Sequence, residues 1–193
     1  FRQEYPADPA EAFLATGRPY FNTMALRKIE VELIKSPPKE HRGSLLWDGK
    51  GNPIFDPDIY ADVTIYEHPV PKDAWANRYS IGADFSEGVK KDADAAKKHS
   101  GDSDFNTAFV WDRVKKQQVA EIRNKLDPDE FGNQLVLLQS YYGGNMSRSY
   151  YPIIVPERNS AGLTGIVKMR DVMRERKIPT SRIYHQMVFQ RYH

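Results

Sequence analysis

The strongest constraint on this chain is a change of hydrophobic rhythm at Arg78. From there, apolar residues alternate with period two in three successive stretches, the spacing that puts one side of an extended strand against a core. Tyr79 to Asp84 sets Tyr79, Ile81 and Ala83 on one face. Phe105 to Asp112 and Val114 to Arg123 read as a second and a third strand, joined by turns short enough for an antiparallel meander. The period then lengthens. Asp127 offers an N-cap, Pro128 the first helical position and Glu130 a capping-box partner. Phe131, Leu135, Leu138 and Tyr142 follow as an apolar stripe, and Gly143 and Gly144 end the helix. Tyr151 to Val155 is an unbroken apolar run, expected of a buried strand. A second helix spans Ala161 to Lys177, with Leu163, Ile166, Met169 and Met173 inward and Pro179 at its end; Arg182 to Phe189 reads as a last strand. The order β-β-β-α-β-α-β predicts an α/β fold: a mixed central sheet, three antiparallel meander strands followed by parallel strands, flanked by helices.

Residues 1 to 77 lack that regularity. Nine prolines between Pro6 and Pro71 interrupt them. Only a helical stretch near Pro9 to Thr16 and a strand-like Ala61 to Tyr66 fit between, so this part is expected to be an irregular lead-in arm packed on a domain spanning 78 to 193. Glu87 to Asp102 is polar, rich in Lys and Asp, and reads as a mobile loop. The start at Phe1 suggests a piece of a longer protein.

Charge divides the same way. Residues 1 to 77 carry 9 basic and 12 acidic side chains, whereas 78 to 193 carry 19 and 14. A basic second half suits a polyanionic partner, although a solvated helix face has the same composition. With no cysteine in the chain, thiolate metal sites and cysteine nucleophiles are excluded, and the five histidines show no paired ligand spacing. Any metal is therefore expected to be a hard cation held by oxygens. Gly43 to Lys50 has the wrong glycine spacing for a phosphate loop, and Gly51 stands where Ser or Thr would hold Mg²⁺. No apolar run approaches the roughly 18 residues that suggest a membrane span.

Three carboxylates are candidates for chemistry. Asp84 closes the first strand in Gly82-Ala-Asp-Phe-Ser-Glu-Gly88, at the parity opposite Ile81, with small residues beside it. Glu157 follows the buried strand in Pro156-Glu-Arg-Asn159. If that strand runs parallel to the first and beside it, the two acids meet. Asp104 precedes the antiparallel second strand and so reaches the same edge. Such an oxygen-lined site suits Mg²⁺ or Mn²⁺, and two ions about 4 Å apart support in-line displacement at a phosphodiester. Each acid alone has a plainer reading as a turn or cap residue. Arg158, Arg148 and Lys168 are candidates for phosphate contacts.

These segments resemble the nuclease domain of the large terminase subunit of tailed bacteriophages. Phe1-Arg-Gln-Glu-Tyr-Pro-Ala-Asp-Pro-Ala-Glu-Ala-Phe13 is similar to the segment where the packaging ATPase ends. Gly82 to Gly88 resembles the first acidic motif of the nuclease, Asp104-Phe-Asn-Thr-Ala108 the segment after it, and Pro156-Glu-Arg-Asn-Ser-Ala-Gly162 the Glu-x-Asn-x-x-Gly motif. The resemblance implies an RNase H-like fold and a metal-dependent endonuclease that cuts concatemeric duplex DNA during packaging. Asp84 and Glu157 take the catalytic positions, with Asp104 as an accessory metal ligand. It implies Mg²⁺ or Mn²⁺, two ions in the complete site. Implied partners are duplex DNA, an upstream ATPase domain of the same polypeptide, the portal and the small terminase subunit. The setting would be the host cytoplasm, with no membrane. The family carries a further catalytic Asp downstream, whereas Asp171 is the only Asp after Glu157 and sits early, within an amphipathic helix. The third acid is thus expected beyond His193. A resolvase- or integrase-like nuclease of the same fold, or a non-catalytic DNA-guiding or docking module, are the competing expectations.

Overall fold

The computed structural model describes residues 22–70, 77–86, 104–143 and 150–184. The chain divides into two compact units, Phe1–Lys39 and Glu40–His193. In the first, helix α1 (Thr23–Lys35) starts at Asn22, whose side chain accepts from the backbone N–H groups of Met24 and Ala25 at 3.0 and 3.1 Å. The expected helix near Pro9 to Thr16 lies outside the described residues, as does the loop expected over Glu87 to Asp102.

The second unit is a mixed seven-stranded sheet with helices. Its strands are β1 (His41–Trp47), β2 (Pro53–Pro57), β3 (Val63–Ile65), β4 (Tyr79–Asp84), β5 (Asn106–Asp112), β6 (Gln117–Asn124) and β7 (Ile153–Pro156). Helices α2 (Pro128–Gly143) and α3 (Ser160–Glu175) complete it, and the strand order is β2-β1-β3-β6-β5-β4-β7. The meander β4-β5-β6 is antiparallel throughout and β7 lies parallel to β4 on its free side, which is the mixed sheet expected from the order of elements. Beyond β7, Ile183 forms a parallel bridge to Ile154, where the last strand was expected to begin; residues 185–193 lie outside the described part.

The strand-like Ala61 to Tyr66 is found as β3, but the reading of the chain before it as irregular is corrected over 41–57. β1, β2 and β3 extend the same sheet through antiparallel pairing, with β3 lying against β6. Prolines misled because both of them in β2, Pro53 and Pro57, sit at the ends of a strand on the outer edge, where a missing N–H costs no ladder bond.

The core lies on one side of the sheet. Val63, Ile65, Ile81, Ala83, Ala108, Val110, Ala120, Ile122 and Ile154 are buried together with Phe131, Leu135, Leu138, Met169 and Met173 of the helices. Burying a side chain such as Phe131, which is fully enclosed, contributes about 2–3 kcal/mol. An extra residue, Val119, shifts the β5–β6 register between Val110 and Trp111, so Val119 and Ala120 are buried in succession. On the opposite face Phe109, Trp111 and Val155 are exposed. Two expectations fall with that asymmetry. The β7 run is buried on alternate residues only, and Leu163 of α3 faces outward, its inward place taken by Gly162, Gly165, Ile166 and Val172.

Two buried polar residues fix the ends of β5. Asp112 accepts from Arg78 Nε and Nη2 at 3.0 and 2.8 Å and from the N–H groups of Val114 and Lys115 at 2.8 and 3.1 Å. Burial pushes this carboxyl up, but the Arg78 hydrogen bond and the two backbone donors outweigh it and hold the group below its ordinary range. Asp112→Ala would leave a buried guanidinium without its partner and should lower stability by about 3–5 kcal/mol at neutral pH. A depressed carboxyl contributes stability present above its unfolded value and lost as pH falls through the folded one. Urea denaturation should therefore show the gap between native protein and variant closing below the ordinary aspartate value of 3.8. A gap that stays constant from pH 7 to pH 3 would contradict this account.

Candidate metal-binding carboxylate pair

Asp84 and Glu157, 73 residues apart in sequence, meet at one rim of the sheet. The register dictates it. β4 and β7 run parallel with Ala83 opposite Pro156, and the Glu157 N–H donates to the Ala83 carbonyl at 2.8 Å, so each acid is the next residue past that pairing. Both side chains are exposed, and they are close enough for one carboxyl to hydrogen-bond to the other. That shared hydrogen bond, then the charge of Asp84, and last a small desolvation, raise Glu157 above the usual glutamate range.

Packing directly behind the acids holds them. Phe85, next to Asp84, turns inward and meets Phe131 edge-on with centroids 5.0 Å apart. It fits because position 165 is glycine: a Cβ on Gly165 would collide with the Phe85 ring. A Cβ on Gly132 would in turn lie 2.6 Å from the Gly165 carbonyl oxygen, so the two helices approach through paired glycines. Asn159 ties the second acid. Its Oδ1 accepts from Gly162 N–H at 2.7 Å and caps α3, while its Nδ2 donates to the Phe85 carbonyl at 2.9 Å and reaches Glu157 Oε2 at 3.5 Å. A Cβ on Gly162 would strike the Glu157 carbonyl oxygen, so the tight turn after β7 requires glycine there.

Among the other candidates, Asp104 is exposed and lies at the same end of the sheet, but it does not join the pair. Strand β5 begins only at Asn106, two residues after Asp104, whereas Asp84 is paired with Thr107. No group of three acidic or histidine side chains able to hold a metal occurs among the described residues. Arg158 and Lys168 are exposed, and Arg148 lies outside the described residues. Asp171 is exposed on α3 and pairs with Arg174 at 2.9 Å. The open space expected beside Asp84 is partly filled: the Phe109 ring lies across Gly82, 2.7 Å from where a Cβ would stand, while Gly88 lies outside the described residues.

Sequence reasoning quoted two asparagines within its motifs and gave neither a role. Asn106, fully buried, accepts from the Ser86 N–H at 2.9 Å and donates to the Leu126 carbonyl at 2.7 Å, fastening the chain just past Asp84. Its signal was available: it stands at the inward parity of β5, where a polar side chain must find partners. Asn159 could have been found as a cap three residues before a glycine.

The pair offers oxygen donors only, placed in contact at an exposed rim, a donor set that fits a hard divalent cation. Two like charges in contact repel, and a cation between them relieves that cost.

No protein-family profile matches the chain, and no curated protein matches it. Among solved structures, the large terminase nuclease from thermophilic phage G20c is similar over 64% of this chain and 67% of its own, with 14% sequence identity and a TM-score of 0.35.

The raised Glu157 carboxyl should be visible by carboxyl carbon NMR as a titration above the ordinary glutamate value of 4.5. Asp84→Asn removes the neighbouring charge and should move that titration down. An unchanged midpoint in the variant would mean the two groups do not interact. Asn159→Ala should cost about 1 kcal/mol of stability through loss of the cap, read in urea, and should loosen Glu157, read as a shift of the same titration.

Proposed function

We propose that this chain is a metal-dependent DNA endonuclease domain of a viral genome-packaging terminase, cutting concatemeric duplex DNA. The observation that carries the reading is the Asp84–Glu157 pair, delivered by adjacent parallel strands to an exposed rim. In open α/β sheets, ligands collect at the carboxyl ends of the strands. The likeness of Gly82 to Gly88 and of Pro156 to Gly162 to the acidic motifs of terminase nucleases supports the same reading.

The roles divide as follows. Asp84 and Glu157 would hold Mg²⁺ or Mn²⁺, with the remaining coordination positions left to water and substrate phosphate. An ion held there would supply Lewis acidity, for activating water and for easing charge on the leaving oxygen. Phe85, in its glycine notch, fixes the backbone beneath Asp84, and Asn159 fixes Glu157, so the carboxylates are oriented before substrate arrives. Arg158 and Lys168, both exposed, and Arg148 would contact the DNA backbone. An upstream ATPase domain, the portal and the small terminase subunit are the proposed partners, in the host cytoplasm.

The test is cleavage of supercoiled plasmid in Mg²⁺ and in Mn²⁺. Nicked and linear products are expected, with Asp84→Asn and Glu157→Gln each reducing the rate more than about a hundredfold while leaving the fold intact by circular dichroism. An intact supercoiled band with both metals would overturn the proposal. Preference for branched over linear duplex would instead favour a resolvase-like enzyme.

A further inference from the structure

A second feature shares the face of the sheet on which Asp84 stands. Asp84 pairs with Thr107 on β5, and Thr107 pairs with Arg123 on β6, so the three lie in one row across the sheet and point to one side. Two strand spacings separate Asp84 from Arg123, about 10 Å. Phe105, two residues before Thr107 and at the same parity, is 38% exposed. Its ring carries two cations: the Arg123 guanidinium carbon lies 4.1 Å from the centroid and the Lys125 ammonium 4.6 Å.

The ring face attracts both cations through its quadrupole. The exposed Arg123 side chain makes no ion pair among the described residues. Glu121, the next residue on that face of β6, is engaged by Gln118 Nε2 at 2.8 Å. The arrangement suits an anion, since the ring restrains the guanidinium before a ligand arrives and so lowers the entropy lost on binding. The carboxylate pair needs such a feature. Two acids at the rim repel a phosphodiester, and a cationic shelf on the same face supplies the attraction that brings it close.

We propose that Phe105 and Arg123 form a backbone grip that holds a phosphate of the substrate strand next to the one lying over Asp84 and Glu157. The proposal rests on the nuclease reading for the identity of its ligand as DNA. Arg123 is a positioning residue here: it binds phosphate, and Phe105 holds its side chain flat.

The experiment separates binding from cutting. The Asp84→Asn protein, free of divalent metal, is titrated into a fluorescent duplex, and binding is followed by anisotropy from about 50 to 200 mM salt. Adding Arg123→Ala should weaken binding several-fold and reduce the slope of log affinity against log salt by about one, because one fewer phosphate is neutralised. Arg123→Lys should keep the slope and lose part of the affinity, whereas Phe105→Ala should lower affinity without changing the slope. If Arg123→Ala fails to fold by circular dichroism, Arg123→Gln carries the same comparison. An unchanged slope and affinity in the charge-removing variant overturns the grip, as does a complete lack of binding at the lowest salt. Plasmid cutting, measured separately with Asp84 intact, reports on the nuclease. A slope that falls while plasmid stays intact leaves the grip standing and removes the nuclease; cutting with no effect of Arg123→Ala does the reverse.

Discussion

One amide side chain joins the three segments from which the acidic rim is made. Asn159 caps α3 through Gly162, donates to the carbonyl of Phe85 beyond the end of β4, and reaches Glu157 beyond the end of β7. A helix start needs an acceptor for its free N–H groups, and a strand end leaves a carbonyl needing a donor. The carboxamide meets both needs at once. Remove it, and neither the angle at which α3 leaves the sheet nor the orientation of Glu157 is determined by the strands alone.

Close backbone packing complements that amide. Gly132 and Gly165 let the two helices approach through main-chain contact, and the notch at Gly165 receives Phe85. The residue after Asp84 is thereby buried against Phe131 while Asp84 itself remains in solvent. A strand end would ordinarily fray; here an aromatic anchor on one side and Asn106 at Ser86 on the other hold it. Rigidity behind an exposed carboxylate is what a metal ligand requires, because the cost of ordering it is met on folding.

Much of the second unit could be read from residue spacing. The alternation of Tyr79, Ile81 and Ala83, the stripe of Phe131, Leu135, Leu138 and Tyr142, and the turn residues between them specify strand, helix and order. The meeting of Asp84 with Glu157 followed from one topological step, a parallel strand returning beside the first. What escaped depends on tertiary context. β2 holds no buried residue and carries two prolines, since an outer-edge strand needs neither a full ladder nor two covered faces. Leu163 points outward while small Gly165 takes the contact with Gly132 of α2 and the Phe85 ring, a preference for close approach over apolar area that periodicity cannot register. Asp104 precedes the first residue of β5 and so is not placed by the sheet as Asp84 and Glu157 are.

β7 is four residues long, and besides β4 its only described strand partner is the single bridge at Ile183. Its attachment to the sheet is therefore slight compared with the seven- and eight-residue ladder of β5 and β6. Glu157 stands beside Asp84 only while that short segment is docked. Opening of a few backbone hydrogen bonds would part the acids with the rest of the sheet intact, so the rim is more fragile than the framework that presents it.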